Sequence, residues 1–469
     1  MAPARILIVR LPCHKVFPTG PVYLLSAIHR AAPNAALRLL DLAVIQRRGH
    51  SRAIEDACAQ FRPDVIAFSL RDIQIFSPQD MDGAMRDAFV FFHDPSIVRK
   101  SAAAFRGLWD IIAYRSSLAH NMGLVRRTAA RHPSADVALG GSSIKIFEDR
   151  LRRHLPAAVR TYARDDVQEF LSHLGLALPP SPMEPDIDFD TLEAAFPQWQ
   201  EYREETIGVQ TKLGCPHGCL FCLYGFIEGK TVRRREPARV VRELQEYARR
   251  WGAKKFWFAD AQLLSGGGDR DHLAAILEGI IAARLAIQWS GYLRIHEIDA
   301  PLASLMVRSG LCDLELSLSS GATAVLEELK LGFTMEQVMR GCEILAEAGY
   351  AGRVIVNLAL NSPGETRETL RQTIAAVRRI KGIFAPLRVV PVVFFLAIQP
   401  HTGLESRAIA DGHIRAGYDP LSVLPWDVIR LIYNPPPLGR MIGRACAAAF
   451  QRGGDEAGDM VLAALEAGL

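Results

Sequence analysis

The sequence predicts an α/β protein built from a doubly wound parallel sheet, a partial (β/α)6 barrel and a small, mostly helical C-terminal segment. Three observations support this class. Short apolar runs alternate with helical patterns, 49% of the 469 residues are hydrophobic and 23% are charged, and one proline- and acid-rich stretch interrupts the alternation. Strands that alternate with helices form parallel sheets, and a chain of this length is expected to hold two or three domains.

A Rossmann-like doubly wound domain is expected over residues 1–176. The run RILIV at residues 5–9 fits a buried parallel strand, and a helical pattern follows it. Further strand patterns are ALRLLDL, DVIAFSL, DVALGGSS and VRTY, and the stretch 80–132 is mostly helical. Because ligands of such sheets bind at the carboxyl ends of the strands, one crevice is expected between residues 11–20, 69–77, 140–143 and 164–166.

Residues 177–204 are predicted to be a linker, because proline and acidic residues are concentrated there. The partial barrel is expected over residues 205–405. Its six strand patterns are TIGVQTKLG, KKFWFAD, AIQWSGYL, DLELSLS, RVIVNLAL and LRVVPVVFFL. Active-site residues of such barrels lie at the C-terminal ends of the strands. Residues 406–469 form the C-terminal segment.

The charge pattern indicates no nucleic-acid surface, because the formal net charge of +4 is small and the arginines are spread out. The run Arg233–Arg235 is the local exception, and we expect it to be a solvated loop or helix start. No stretch reaches the roughly 18 uninterrupted apolar residues of a membrane span. The N-terminal residues do not form a signal peptide. A cytoplasmic protein with neither membrane nor nucleic-acid partners is expected.

Three of the eight cysteines are clustered in LGCPHGCLFCLYG, where Cys215, Cys219 and Cys222 follow the first barrel strand. Three thiolates on one short loop can wrap one corner of a [4Fe-4S] cluster and leave the fourth iron open. Zinc is the competing metal, but a zinc site requires a fourth ligand. His217 lies so close between the cysteines in sequence that it is poorly placed to be that ligand. A loop of three buried cysteines without a metal is the remaining alternative.

The Cys-x3-Cys-x2-Cys spacing, with the aromatic Phe221 before the last cysteine, resembles the signature of the radical S-adenosylmethionine (SAM) superfamily. The resemblance covers roughly residues 205–405. It implies a [4Fe-4S] cluster held by the three cysteines, with SAM bound at the open iron. Segments that resemble cobalamin-linked members are FADAQ from Phe258, ELSLSSGATAVLEELKLG from Glu315, NSPGETRETL from Asn361 and QPHTGLES from Gln399. Ser319-Ser320 and Asn361-Ser362 depart from the usual residues of those segments.

By this resemblance, polar residues at the barrel strand ends would contact SAM or the substrate, and each could instead be a helix cap or turn residue. The expected cofactor-binding residues are Phe221, Asp260, Gln262, Glu315, Ser317 and Asn357. Tyr292 and Arg294 are the expected catalytic residues at the barrel mouth, with Tyr433 closing the site from the C-terminal segment.

The N-terminal domain resembles the cobalamin-binding module of the same superfamily. The matching residues are Pro18-x-Gly20, SLRDI from Ser69, and GGSS from Gly140. The resemblance implies that Ser69, Gly140, Gly141 and Ser142 bind cobalamin, with Arg71 on the lower face of the corrin. No Asp-x-His-x-x-Gly motif offers a histidine ligand to cobalt. Alternatively, Arg71 and Asp72 form a structural ion pair, and the domain keeps the fold without the cofactor. The insertion at 78–120 carries aromatic residues that are expected to be core.

The implied function is that of a radical SAM enzyme that forms a 5′-deoxyadenosyl radical for cobalamin-dependent C-methylation of a small molecule. A cobalamin-free radical dehydratase, similar to those that act on aminoglycoside diols, and an oxidative cyclase are the alternatives on this architecture. A sensory iron-sulfur or corrinoid protein is the non-enzymatic alternative. The reaction would need an electron donor such as flavodoxin or ferredoxin.

Overall fold

The computed structural model describes residues 4–71, 83–162, 167–175, 186–422, 424–450 and 456–469. Parts of the crevice loops predicted at 69–77 and 164–166, including Asp72, lie outside the described residues, as do residues 177–185 of the predicted linker. Among the described residues, none of the helices combines the length and the apolar character that crossing a bilayer requires.

The N-terminal domain is a five-stranded parallel sheet in the order β2-β1-β3-β4-β5, which confirms the doubly wound prediction. One face of β1 places Leu7 and Val9 against its own helices, and the other places Ile6 and Ile8 in a core shared with the barrel. The elements are β1 (Arg5–Arg10), α1 (Thr19–Ala31), β2 (Ala36–Asp41), α2 (His50–Phe61), β3 (Val65–Ser69), α3 (Gly83–His93), α4 (Ile97–Arg131), β4 (Asp136–Gly140), α5 (Ser142–Arg152), β5 (Val159–Tyr162) and α6 (Val167–His173).

Helices α3 and α4 form the predicted insertion, but only part of its aromatic content is core. Phe89 is fully buried and stacks on Phe395. Phe91 is 40% exposed, Phe105 64% and Trp109 59%. The prediction that these aromatics are core is therefore wrong for the outer face of the hairpin, which helical periodicity alone does not distinguish from the inner face.

The second half of the predicted linker is a packed element. Helix α7 (Phe189–Ala195) begins with an Asp188 side-chain cap, and Phe189 and Leu192 are buried in the shared core. Trp199 then stacks on Trp251 with ring centroids 4.9 Å apart. The proline-rich composition of the segment suggested a linker, although its apolar residues have helical spacing. Residues 186–204 therefore pack in the core that the two domains share, and do not form a loose connection between them.

The barrel is an open sheet of six parallel strands in the order β6-β9-β10-β11-β12-β13, as predicted. Its elements are β6 (Ile207–Val209), β7 (Lys212–Leu213), α8 (Tyr224–Ile227), β8 (Arg233–Arg234), α9 (Pro237–Trp251), β9 (Lys255–Phe258), α10 (Asp269–Ala282), β10 (Gln288–Leu293), α11 (Ala300–Arg308), β11 (Leu311–Ser319), α12 (Thr323–Glu328), α13 (Met335–Glu347), β12 (Arg353–Ala359), α14 (Arg367–Phe384) and β13 (Val389–Phe394).

The first barrel strand is shorter than the predicted run TIGVQTKLG. The chain leaves the sheet after Val209, and β7 pairs instead with β8 in an antiparallel ribbon. Arg233 in this ribbon is exposed, as predicted, but the prediction of a solvated run is wrong for Arg234 and Arg235. Arg234 donates to Asp269 at 2.6 Å, and the buried Arg235 donates to Glu243 at 2.6 Å. Charge composition does not reveal such buried partners.

The C-terminal segment is mostly helical, as predicted. Its helices are α15 (Gly403–Ala410), α16 (Pro425–Arg430), α17 (Gly439–Phe450) and α18 (Ala457–Gly468). Helix α17 packs on α3 and α18 packs on β13. The segment therefore covers the open edge of the barrel sheet and joins it to the insertion of the first domain.

Candidate active site

A cavity of about 1130 Å³ lies between the carboxyl ends of the two sheets. Ser69, Arg71, Gly140, Gly141 and Ser142 line it from the N-terminal domain. The barrel contributes Cys215, Cys219, Phe221, Cys222, Gln262, Tyr292, Arg294, Glu315, Ser317 and Asn357. The structure thus brings together all of the predicted site residues except Asp260 and Tyr433. Their chemical roles stay predictions.

The three cysteines lie on the cysteine loop (residues 214–223), which Gly214 starts with a φ of 96°. A Cβ on Gly214 would lie 2.2 Å from the carbonyl oxygen of Thr231, so only glycine fits this turn. The backbone of Leu220 accepts from Leu404 at 2.7 Å and donates to Leu329 at 3.0 Å. The loop is therefore braced by the elements on either side of it.

The thiols of the cysteine loop are free, and burial raises the pKa of all three, that of Cys222 to about 12. Among the described residues, no three His, Cys, Asp or Glu side chains converge on a point that would suit a single metal ion. A cubane cluster sets a different requirement, since its cysteines bind separate irons. Loss of the thiol protons would need a nearby positive charge, which a bound cluster supplies.

Asp260 lies behind the cysteine loop rather than in the cavity. Its carboxylate accepts from the backbone N–H of Thr211 at 2.7 Å and of Lys212 at 3.1 Å, and from the Thr211 hydroxyl. Burial raises the pKa of Asp260 to about 6 against these hydrogen bonds. Asp260 therefore stabilises the turn by which the chain leaves β6 and enters the loop. Its position at the end of a strand does not by itself predict this structural role.

A buried ionic network supports the same turn. The Lys212 ammonium, 1% exposed, donates to Asp269 and, at 2.7 Å, to the Ser265 hydroxyl. Asp269, fully buried, also accepts from Arg234. This network has no counterpart among the sequence-predicted site residues, because its members lie far apart in the chain.

Arg294 places a positive charge beside the cysteine loop. Its guanidinium donates to Glu297 at 2.9 Å and to the carbonyl oxygen of Leu331 at 2.9 Å. Burial and then the Arg294 charge lower the pKa of His217, whose Nε2 is buried and has no hydrogen-bond partner among the described residues. These Arg294 hydrogen bonds go to residues outside the cysteine loop, so its effect on the loop is electrostatic.

The middle barrel strands present an interior row of three residues (Tyr292, Glu315 and Asn357) to the cavity. Tyr292 and Glu315 are partners in the register of β10 and β11. The Asn357 amide on β12 donates to Glu315 at 2.8 Å. Burial raises the pKa of Glu315. Parallel register keeps the three side chains on one face of the sheet.

The N-terminal wall of the cavity is formed by the β4–α5 turn. Gly141 has a φ of 111°, and the Ser142 hydroxyl donates to the carbonyl oxygen of Arg71 at 3.0 Å. The turn therefore presents backbone and small side chains to the cavity, with Arg71 at its edge. This surface allows a flat ligand to approach closely.

Tyr433 does not line the cavity. It is 3% exposed, and its hydroxyl donates to Asp411 at 3.2 Å within the C-terminal segment. Asn361, in the segment NSPGET, likewise donates to Asn434 at 2.7 Å and to the carbonyl oxygen of Pro435. Asn361 therefore fastens the C-terminal segment to the barrel, whereas the Tyr433 hydroxyl is engaged within that segment. The prediction of Tyr433 as a lid residue is not met.

Gln399 is a cavity residue that the sequence prediction lacks. It is 3% exposed, and neither its Oε1 nor its Nε2 has a hydrogen-bond partner among the described residues. It is the first residue of the segment QPHTGLES. The sequence signal that could have indicated Gln399 as a site residue is its position as a polar residue directly after the apolar run VVFFLAI.

The chain matches a model of the radical SAM superfamily over residues 209–377. Among curated proteins, it is 23% identical over 329 residues to a tRNA-2-methylthio-N(6)-dimethylallyladenosine synthase of Mycobacteroides abscessus, with 67% of this chain and 58% of that protein covered. It is 25% identical over 210 residues to an anaerobic magnesium-protoporphyrin IX monomethyl ester cyclase of Rubrivivax gelatinosus, with 43% and 37% covered. The chain thus spans less than two thirds of these relatives.

Two solved structures extend the likeness to both domains. The radical SAM methyltransferase TsrM from Kitasatospora setae, solved with cobalamin and a [4Fe-4S] cluster, matches with a TM-score of 0.61 and 17% identity, covering 88% of this chain and 78% of that one. The cobalamin-dependent SAM radical enzyme OxsB, solved with aqua-cobalamin, matches with a TM-score of 0.64 and 12% identity, covering 96% and 66%. At these identities the likeness shows the fold. The superfamily model is thus matched by the barrel part of the chain, and the whole chain shares the two-domain fold of these cobalamin-dependent radical SAM enzymes.

Proposed function

We propose that this protein catalyses cobalamin-dependent C-methylation of a small molecule. The observation that carries the proposal is the single cavity shared by the cysteine loop and the β4–α5 turn. Both surfaces line it, so groups bound on the two sheets would face one another across one space. A reaction that passes a methyl group between two cofactors and a substrate needs this proximity.

The residues present fit an iron-sulfur cluster. Cys215, Cys219 and Cys222 all line the cavity, and none is in a disulfide. Their loop would supply three ligands to a [4Fe-4S] cluster, whose fourth iron would have no cysteine ligand and could bind SAM. Ser317 and Gln399 line the same cavity with polar side chains that suit the amino, carboxylate and nucleoside groups of SAM.

The residues of the N-terminal wall fit a corrin. Gly140, Gly141 and Ser142 have small side chains or none, so a flat ligand could approach the backbone of that wall closely. Arg71 adds a cation that would not ligate cobalt. When bound, these groups would supply hydrogen abstraction by a SAM-derived radical and a corrin-borne methyl group. The task of the chain is to hold them and the substrate in line and to exclude water.

The cavity supports a small-molecule substrate. It is lined by residues of both domains, and TsrM from Kitasatospora setae has also been solved with tryptophan bound as its substrate. The relatives named for tRNA modification match less than two thirds of their own length, and the net charge of +4 provides no extended basic surface. The one-electron reductant would be a flavodoxin or ferredoxin.

The test is anaerobic reconstitution of the full chain with iron, sulfide and hydroxocobalamin, followed by iron and cobalt assays and a visible spectrum. About four irons and one cobalt per chain are expected, since a cubane holds four irons. Four irons without cobalt would contradict methyl transfer and favour a cobalamin-free dehydratase or cyclase. The triple variant C215A/C219A/C222A should lose its iron, while C312A, a free thiol outside the cavity, should keep it. Iron retained by the triple variant would contradict the cluster assignment.

A further inference from the structure

The interior row lies within the barrel strands β10, β11 and β12 rather than on the loops that follow them. Glu315 lies four residues before the end of β11, in register with Tyr292. Asn357, which donates to Glu315, is in register with Val392 of β13. All four side chains line the cavity. A ligand that reaches this depth therefore meets a carboxylate between an aromatic ring and an amide.

Glu315 has no ion-pair partner within 4.0 Å among the described residues. Its hydrogen bond comes from the neutral Asn357 amide. Arg353 is on the adjacent strand, and its Nε lies 3.3 Å from Asp313, two residues earlier on β11. Glu315 is half-buried. A carboxylate that is partly removed from water is stabilised by a cation, so the site favours a ligand that brings one.

A second acceptor points to the same ligand chemistry. The Oε1 of Gln262 is buried without a hydrogen-bond partner in the described part of the chain. Gln262 lies beside Tyr292, because the next residue, Leu263, donates its N–H to the carbonyl oxygen of Tyr292 at 2.8 Å. The Tyr292 ring meets Trp257 edge to face at 5.1 Å. Aromatic faces attract cations, and an ammonium has three donors for such acceptors.

We propose that Glu315, oriented by Asn357 and flanked by Tyr292 and Gln262, binds a protonated amine of the substrate. The inference rests on the proposed function in taking this cavity as the substrate site. A neutral hydroxyl would satisfy the hydrogen bonds and leave the carboxylate charge unpaired, so the substrate class is an amine. SAM also carries an ammonium and ribose hydroxyls, and the experiment separates that source from the substrate.

The test measures equilibrium binding of matched probe pairs to the anaerobically reconstituted full chain. The pairs are phenethylamine, tryptamine and glucosamine, each with its N-acetyl derivative, which keeps the shape and removes the charge. At least one amine is expected to bind about tenfold or more tightly than its N-acetyl derivative, as a charge-assisted hydrogen bond allows. The variant E315Q is expected to abolish this ratio. D313N, which alters a carboxylate on the same strand outside the cavity lining, is expected to keep it.

Three results would overturn the amine assignment. The first is the absence of any preference for an amine over its N-acetyl derivative in the unaltered chain. The second is a preference that persists in E315Q. The third is an equal loss of S-adenosylhomocysteine affinity in E315Q, which would assign the carboxylate to SAM. Metal content is measured on the same samples, so a chain that lacks cobalt and still prefers amines would refute the methyl transfer and keep the amine site.

Discussion

Gly141 shows how one residue shapes the cavity wall. Its φ of 111° is rarely adopted by side-chain-bearing residues, and a Cβ there would lie 2.4 Å from the carbonyl oxygen of Leu70. The adjacent Gly140 differs, because its added Cβ would meet its nearest atoms at ordinary distances of 3.7 Å or more. Of these two neighbouring glycines, only Gly141 is required to be glycine by its backbone conformation and by the space around it.

We expect G141A to lower the free energy of unfolding and to reduce the cobalt retained after reconstitution. The unfavourable backbone alone costs about 1–3 kcal/mol, and the clash with Leu70 would shift the β3 and β4 ends that line the cavity. Urea unfolding and a cobalt assay measure the two effects. G140A is the control and should unfold close to the unaltered chain. Equal behaviour of the two variants would refute this account of the turn.

The cysteine loop shows how elements distant in sequence position a site. The β7–β8 ribbon precedes and follows the loop, and the first turn of α10 supplies Asp269 to Lys212 and Arg234 on the two ribbon strands. Asp260, just after β9, holds the backbone where β7 begins. The cysteines are therefore placed by a ribbon that one buried carboxylate fastens to a helix.

The variant D269N is expected to destabilise the protein by about 3–5 kcal/mol, the usual cost of leaving a buried charge without its partner. The Lys212 ammonium would stay buried with only the Ser265 hydroxyl and an amide beside it. Iron retention should fall as well, because the ribbon carries the loop. D271N in the same helical turn is the control, since Asp271 is 81% exposed. Urea unfolding that places both variants within about 0.5 kcal/mol, the usual surface effect, would contradict the network's role.

At the scale of the whole molecule, the two sheets are joined by a continuous core and by buried polar contacts. Tyr23 on α1 donates to Glu243 on α9 at 3.1 Å and accepts from the backbone N–H of Gln210 at 3.0 Å. Thr19 donates to the carbonyl oxygen of Gly208 at 3.0 Å, where a Cβ would lie 2.5 Å from the Thr19 hydroxyl. The cavity width thus depends on a close fit between α1 and β6.

The variant Y23F tests this docking. Loss of the hydroxyl leaves the Gln210 N–H without its acceptor and removes a donor from the buried Glu243, at a cost of about 1–3 kcal/mol. The midpoint of urea unfolding should fall, and amide exchange at residues 207–210 should accelerate. Y418F is the control, because Tyr418 donates to Glu405 within the C-terminal segment alone. Exchange at 207–210 that is unchanged in Y23F would show that the domains are held by the apolar core without this contact.

The local pattern of the sequence determined the fold class and the cysteine loop. Parallel strands that are buried on both faces are continuous apolar runs, so RILIV and RVIVNLAL can be recognised as strands from the sequence alone. The spacing of Cys215, Cys219 and Cys222 is equally local, because one short loop provides all three ligands. Strand-end positions such as Ser69, Gln262 and Ser317 follow from topology, since the ends of parallel strands meet at one edge.

Only the tertiary structure decided which polar residues face the cavity and which are hydrogen-bonded to other parts of the protein. Asp260 and Tyr433 match strand-end and C-terminal expectations, yet one binds the backbone of Thr211 and the other binds Asp411. Gln399 faces the cavity, and neither of its amide atoms has a hydrogen-bond partner in the part of the chain that the structure describes. Local periodicity specifies which side of an element is apolar. A polar group is either hydrogen-bonded within the protein or left available to a ligand. Which of the two occurs depends on residues tens or hundreds of positions away, which are brought together only by packing.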